Sequence, residues 1–134
     1  MTEIGSVSER LKGKTILVVE DNIISFKLMQ AILKSSGLNM FHAENGQSAV
    51  DLCKEHPEID LVIMDIMLPV MDGLTATKLI LENRPGLPVI AATANAFSED
   101  REECIQAGCV DYINKPIAFD RLFEMLSKYI KTDG

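Results

Sequence analysis

Short apolar runs alternate along the chain with longer stretches in which apolar positions recur at helical spacing. KTILVVE (14–20), NMFHAE (39–44), DLVIMD (60–65), LPVIAATA (87–94) and VDYIN (110–114) read as strands. Between and after them, DNIISFKLMQAILKSSG (21–37), GQSAVDLCKEHP (46–57), MDGLTATKLILENRPG (71–86), SEDREECIQAGC (98–109) and AFDRLFEMLSKYI (118–130) read as helix-bearing segments. Their stops have physical causes. Gly37 and Gly108 suit helix ends, Pro57 turns its predecessor away from helix, and Pro85-Gly86 makes a turn. Ser98 followed by acidic residues predicts an N-cap, and Pro88 falls where a strand start tolerates it. In the last segment, apolar residues at 119, 122, 123, 126 and 130 form a stripe.

Strands alternating with helices of this length imply a parallel sheet covered on both faces. The strands are continuously apolar rather than alternating, as strands buried on both sides should be. Right-handed crossovers restrict the topology, and the expectation is an α/β, single-domain, doubly wound five-stranded parallel sheet; the order 2-1-3-4-5 is chosen among the known doubly wound orders and is not independent of the chain's family resemblance. Residues 1–13 read as a polar lead-in or linker, 14–131 as one domain and 132–134 as a tail.

The totals narrow the function classes. The 134 residues suit one core, with 47% hydrophobic and 25% charged residues. The net charge of −7 argues against a nucleic-acid grip by this domain and for attraction of cations. No apolar run approaches the roughly 20 residues a membrane helix needs, and MTEIGSVSER does not read as a signal peptide. Three cysteines, Cys53, Cys104 and Cys109, form no CxxC pair. They read as buried thiols in a reducing compartment, so a cytoplasmic location is expected.

Ligands of open parallel sheets bind beyond the carboxyl ends of the strands. There the first strand ends in Glu20 and Asp21, the third in Asp65 and the fourth in Thr93, and the fifth is followed by Lys115. Glu44, after the edge strand, reads as solvated. If the first and third strands are neighbours, three carboxylates meet and repel, so that some protonate or a cation sits among them. An all-oxygen donor set suits Mg²⁺ or Mn²⁺ rather than zinc. A backbone carbonyl just past Asp65 could add a ligand. Each residue taken alone has a plainer explanation: Asp21 as an N-cap, Lys115 as a loop charge, Thr93 as an ordinary strand end. Their joint occurrence at successive strand ends shifts the reading towards a site where Lys115, Thr93 and a cation cradle an oxyanion attached to Asp65.

At this point the sequence resembles the receiver domain of two-component response regulators, from about Lys14 to Ile130. The blocks ILVVEDN, VIMDIMLPVMDG, ATAN and YINKP carry the resemblance in order and spacing. It implies a flavodoxin-like fold and a phosphorelay function. Asp65 would be the phosphoacceptor, Lys115 the phosphate-binding lysine, and Thr93 and Tyr112 the switch pair. Glu20, Asp21, Asp65 and the Met67 backbone carbonyl would hold Mg²⁺. Glu stands at the first acidic position, where Asp is commoner in the family. A cis Lys115–Pro116 bond is likewise implied. So is a phosphohistidine donor, on a histidine kinase dimerisation domain or a histidine phosphotransfer domain, with readout through the fourth helix, fifth strand and fifth helix. A dimer that depends on phosphorylation belongs to the same expectation.

In the first helix Ser25, Leu28, Met29, Ile32 and Leu33 fall on one face at 100° per residue. Ile23 points away from it, and Ile24 and Phe26 flank it, so Ile23, Ile24 and Phe26 are expected to dock the partner. A flavin or nucleotide binder would need a Gly-rich phosphate loop where EDNIIS stands. An aspartyl phosphatase would want a second acid where Met67 stands. The hybrid sensor histidine kinase is the expected context, because LKGKTILVVEDN and TANAFSEDREECIQAGCVDYINKPI look like receivers of that kind. A free-standing regulator, or a degenerate receiver used only for docking, is the alternative.

Overall fold

The computed structural model describes residues 11–68, 71–94 and 99–130. Five strands, β1 (Thr15–Val19), β2 (Asn39–Ala43), β3 (Leu61–Asp65), β4 (Val89–Thr93) and β5 (Asp111–Asn114), form one sheet of order β2-β1-β3-β4-β5. Every pairing is parallel. The helices are α1 (Ile23–Leu33), α2 (Gly46–Glu55), α3 (Gly73–Asn83), α4 (Glu99–Ala107) and α5 (Phe119–Tyr129). This is the expected α/β doubly wound arrangement.

Strand periodicity sorts the core into two halves. Ile16, Val18, Leu61, Ile63, Ile90 and Ala92 face α1 and α5, meeting Phe26, Met29, Leu33, Leu122 and Leu126. Leu17, Val19, Val62, Met64, Val89 and Ala91 face the other way, onto Ala49, Val50, Ala76, Ile80 and Cys104 of α2, α3 and α4. All residues of β1, β3 and β4 are buried, whereas the edge strands β2 and β5 are only partly so. Each buried Leu or Ile contributes up to about 1.5–3 kcal/mol of transfer free energy. All three cysteines are buried free thiols. Burial pushes Cys53 to about 11 and Cys109 to about 12, so both stay protonated at neutral pH.

Several sequence boundaries move. Leu11 is fully buried, and its carbonyl accepts from the Lys14 amide at 3.0 Å, so the fold begins ahead of the expected boundary at residue 14. Helix α1 ends with its last apolar position rather than at the expected stop, Gly37: after Leu33 the chain tightens into a 3₁₀ turn, Lys34–Ser36, and leaves through Gly37 at φ +78°. The expected Ser98 cap lies outside the described residues.

Three helices start at the carboxyl edge of the sheet on an Asx cap. Asn22 Oδ1 accepts from the Ile24 and Ser25 amides, Asn45 Oδ1 from the Ser48 amide and Asp72 Oδ1 from the Thr75 amide. The cap of α1 is therefore Asn22, not Asp21, which leaves the Asp21 carboxylate free of that duty. At the head of α3, the Gly73 amide donates to the Ile66 carbonyl, and a Cβ at 73 would run into the Asp65 carbonyl oxygen and the Ile66 Cα. Gly73→Ala is expected to push back the end of β3 and cost about 1–3 kcal/mol. Urea unfolding measures it, and an unmoved midpoint would show that the turn yields freely.

Candidate functional site

The sheet order makes β1 and β3 neighbours, with Val19 opposite Met64. The next residues on each strand, Glu20 and Asp65, therefore leave the sheet side by side. Glu20 and Asp65 are buried and Asp21 is exposed, and carboxylate oxygens from all three lie within 4.8 Å of one another. Asp65 is fixed at both oxygens: Oδ1 accepts from the Met67 amide at 3.0 Å and Oδ2 from the Lys115 ammonium at 2.8 Å.

Lys115 follows the edge strand β5, and its amide donates to the Thr93 carbonyl at 2.8 Å, which anchors its backbone to the end of β4. From there its side chain reaches back to the acids, with Nζ 3.1 Å from Glu20 Oε2 as well as 2.8 Å from Asp65. The Lys115–Pro116 peptide bond is cis, as expected. Burial pushes the Glu20 carboxyl above its ordinary value, and its hydrogen bond with Asp65 pushes the same way; Lys115 offsets only part. Burial works against the charge on Lys115, but Asp65 and Glu20 outweigh it and hold the ammonium above its usual value.

One ammonium thus faces three carboxylates. The surplus negative charge and the purely oxygen donors fit a hard divalent cation of the Mg²⁺ or Mn²⁺ kind, and nothing in the set favours zinc. Glu20, Asp21 and Asp65 are the side chains that would hold it. Thr93 is buried at the carboxyl end of β4, one position past the Asp65–Ala92 pair. Tyr112, half-buried on β5, pairs with Ala91 and packs against the α2–α4 side of the core.

The first helix differs from its sequence reading. Ile23 and Ile24 are exposed, at 46% and 76%. Phe26, expected to dock a partner, is buried in the core and stacked on His42, with ring centroids 4.0 Å apart. The core stripe is Phe26, Met29 and Leu33, while Ser25 and Leu28 face outward. Apolar residues lie on nearly every side of this helix, so periodicity alone could not rank its faces. Leu28, 57% exposed, takes Phe26's place on the exposed apolar patch, and Met67, just past β3, is 78% exposed. A cavity of about 200 Å³ beside Leu28 is lined also by Met29, Ile117, Phe119 and Lys115, and reaches Glu20 and Asp65. His42, which also meets the Glu20 carbonyl, carried no signal in the sequence beyond its place in a short strand.

The pH dependence follows from signs. A carboxyl raised by folding is least costly when protonated, so Glu20's contribution falls as pH rises from about 4.5 through its raised value. The contribution of Lys115, raised likewise, persists to alkaline pH and fades only above its ordinary 10.5. Metal-free Glu20→Gln is therefore expected to melt higher than wild type at pH 7 and to lose the acid-to-neutral decline. Millimolar Mg²⁺ should reverse that order. Calorimetric melts across pH check both, and a metal-free variant no more stable than wild type at pH 7 would contradict the assignment.

The comparisons agree with this geometry. A family model described as the response regulator receiver domain matches residues 16–127. The polar-differentiation response regulator DivK of Brucella anthropi is 40% identical over 119 residues, 87% of this chain and 96% of DivK. The receiver domain of the sensor histidine kinase PA1611 from Pseudomonas aeruginosa, solved with a magnesium ion coordinated in its active-site cleft, is 39% identical. It superposes with a TM-score of 0.80 over 87% of this chain and 97% of that one. The receiver domain of the Saccharomyces cerevisiae response regulator Ssk1, co-crystallised with the phosphotransfer protein Ypd1, gives a TM-score of 0.79 at 28% identity, covering 89% and 90%. With the acids of β1 and β3 and the lysine after β5 gathered at one sheet edge, the chain belongs to the response regulator receiver domains of two-component signalling.

Proposed function

We propose that this domain accepts a phosphoryl group from a phosphohistidine onto Asp65, and that this charge change is read out on the face of α4, β5 and α5. The observation that carries the reading is the Lys115 ammonium 2.8 Å from Asp65 Oδ2, beside two further carboxylates. An Asp65 oxygen attacks phosphorus as the bond to the donor's imidazole nitrogen breaks, and the freed imidazole leaves with that electron pair. Lys115 stays with the group and offsets charge on the phosphoryl oxygens. The Met67 amide holds the second Asp65 oxygen and orients the nucleophile. A divalent cation, Mg²⁺ or Mn²⁺, held by Glu20, Asp21, Asp65 and the Met67 carbonyl, would neutralise further charge on those oxygens. In this role the domain is a phosphoacceptor that promotes its own reaction rather than an enzyme acting on a separate substrate.

In this reading the Thr93 hydroxyl is drawn to the new phosphoryl oxygens, and Tyr112 on the neighbouring strand fills the space it leaves; the burial of Thr93 at the end of β4 supports it. A turn of Tyr112 inward then alters the α4–β5–α5 surface, where a phosphorylation-dependent dimer could form. The donor docks on Ile23 and Ile24, with Leu28 added and Phe26 removed for its burial. A histidine phosphotransfer domain or a kinase dimerisation domain fits, given the apolar patch beside the acidic site; Ypd1 bound to the Ssk1 receiver supports the class. The domain acts in the cytoplasm as the receiver of a hybrid sensor histidine kinase, a context supported by its likeness to the PA1611 receiver. DivK supports the second reading, a free-standing regulator, because the match spans 96% of that protein. A reading frame that joins this domain to a kinase core decides between them.

Incubated with Mg²⁺ and acetyl phosphate, the wild type should gain the mass of one phosphoryl group and Asp65→Asn should gain none. Equal labelling of both would exclude Asp65. Lys115→Ala should slow labelling by at least about 100-fold, the scale for losing one charge partner of the transition state. Ile23→Glu should slow transfer from a phosphohistidine donor about tenfold, while acetyl phosphate labelling keeps its rate. A loss shared by both donors would move Ile23 out of the docking surface.

A further inference from the structure

We propose that His42 is a positioning residue for the phosphorylation site: its ring caps the backbone carbonyl of Glu20 and, stacked on Phe26, ties that carbonyl to helix α1. The proposal rests on the receiver reading of the site. The last rung joining β1 to β2 is the Glu20 amide to the Ala43 carbonyl, at 3.0 Å. The Glu20 carbonyl lies one step beyond it, where β2 turns off through Glu44 and the capping Asn45 into α2. A side chain meets this carbonyl instead of a ladder amide: His42 Nε2 lies 2.7 Å from it. A carbonyl oxygen cannot donate, so Nε2 carries the proton and donates. On its other side the imidazole lies nearly parallel to Phe26, 4.0 Å between centroids and 10° between planes.

The consequence runs along the backbone. The Glu20 carbonyl and the Asp21 amide share one rigid peptide plane. Holding that carbonyl fixes the plane from which Asp21 departs, and the Asn22 side chain, capping the Ile24 and Ser25 amides, fixes the chain just after it. The Asp21 backbone is thus held between two side-chain anchors, which resists its displacement by repulsion from Glu20 and Asp65. Preorganisation of this kind is what partners outside the ligand set give a metal site.

Two substitutions separate the donor from the ring. His42→Phe keeps an aromatic face for Phe26 and loses the donor. His42→Gln returns an Nε2 donor and loses the stack. Binding of Mn²⁺ alone, followed by electron paramagnetic resonance, should weaken about tenfold in His42→Phe and recover most of the way in His42→Gln. Acetyl phosphate labelling of His42→Phe should be slow at low Mg²⁺ and reach the wild-type rate when Mg²⁺ saturates, a split that a merely destabilised core would not produce. Wild-type Mn²⁺ affinity in His42→Phe, or a His42→Gln no better than His42→Phe, overturns the proposal. A wild type that binds no Mn²⁺ overturns the receiver reading itself, and this inference with it.

Discussion

Three carboxylates converge at the carboxyl edge of the sheet, and one lysine answers them. That imbalance organises the structure around it. Glu20 and Asp65 are buried, where an unpaired charge is costly, and the contact of Lys115 with both is what makes their burial tolerable. The lysine reaches them from the edge of the sheet because its backbone is hung on the Thr93 carbonyl at the end of β4. Four strand ends therefore take part in one electrostatic unit, and the sheet order 2-1-3-4-5 is its precondition.

Precision at this edge is supplied by polar side chains placed just after the strands. Asn22 and Asn45 open their helices three and two residues after a strand, and Asp72 opens α3 at the far end of the turn that follows β3. The division of labour between Asp21 and Asn22 illustrates the logic. Either residue could cap α1, but an amide oxygen does so without spending a charge, so the carboxylate remains available to the site. Gly73 plays the matching role behind Asp65, since any side chain there would run into the backbone at the end of β3.

The five strands and the acids with Lys115 were legible in the sequence because each has a strong local signature: continuous apolar strands, and charged residues where those strands stop; the order of the strands has no such signature and came with the family resemblance. The orientation of α1 was not. Its residues Ile23, Ile24, Phe26, Leu28, Met29, Ile32 and Leu33 are apolar on nearly all sides, so the direction of the core is decided by tertiary packing. His42 was illegible for a related reason. Its partners, Phe26 and the Glu20 carbonyl, are 16 and 22 residues away, and one of them is backbone, which no side-chain motif announces. The burial of Leu11, ahead of the expected boundary at residue 14, likewise depends on a single apolar residue in a polar stretch.

An arrangement that leaves net negative charge in a half-buried cleft is poised rather than relaxed. Glu20 sits above its ordinary carboxyl range because burial and Asp65 outweigh Lys115. The cleft is therefore stabilised by whatever cation enters it, and it is sensitive to any group that redistributes charge on Asp65. The proposed switch would run through neighbours already in contact: Lys115 is hung on the end of β4, Thr93 ends that strand, and Tyr112 on β5 packs against the α2–α4 core.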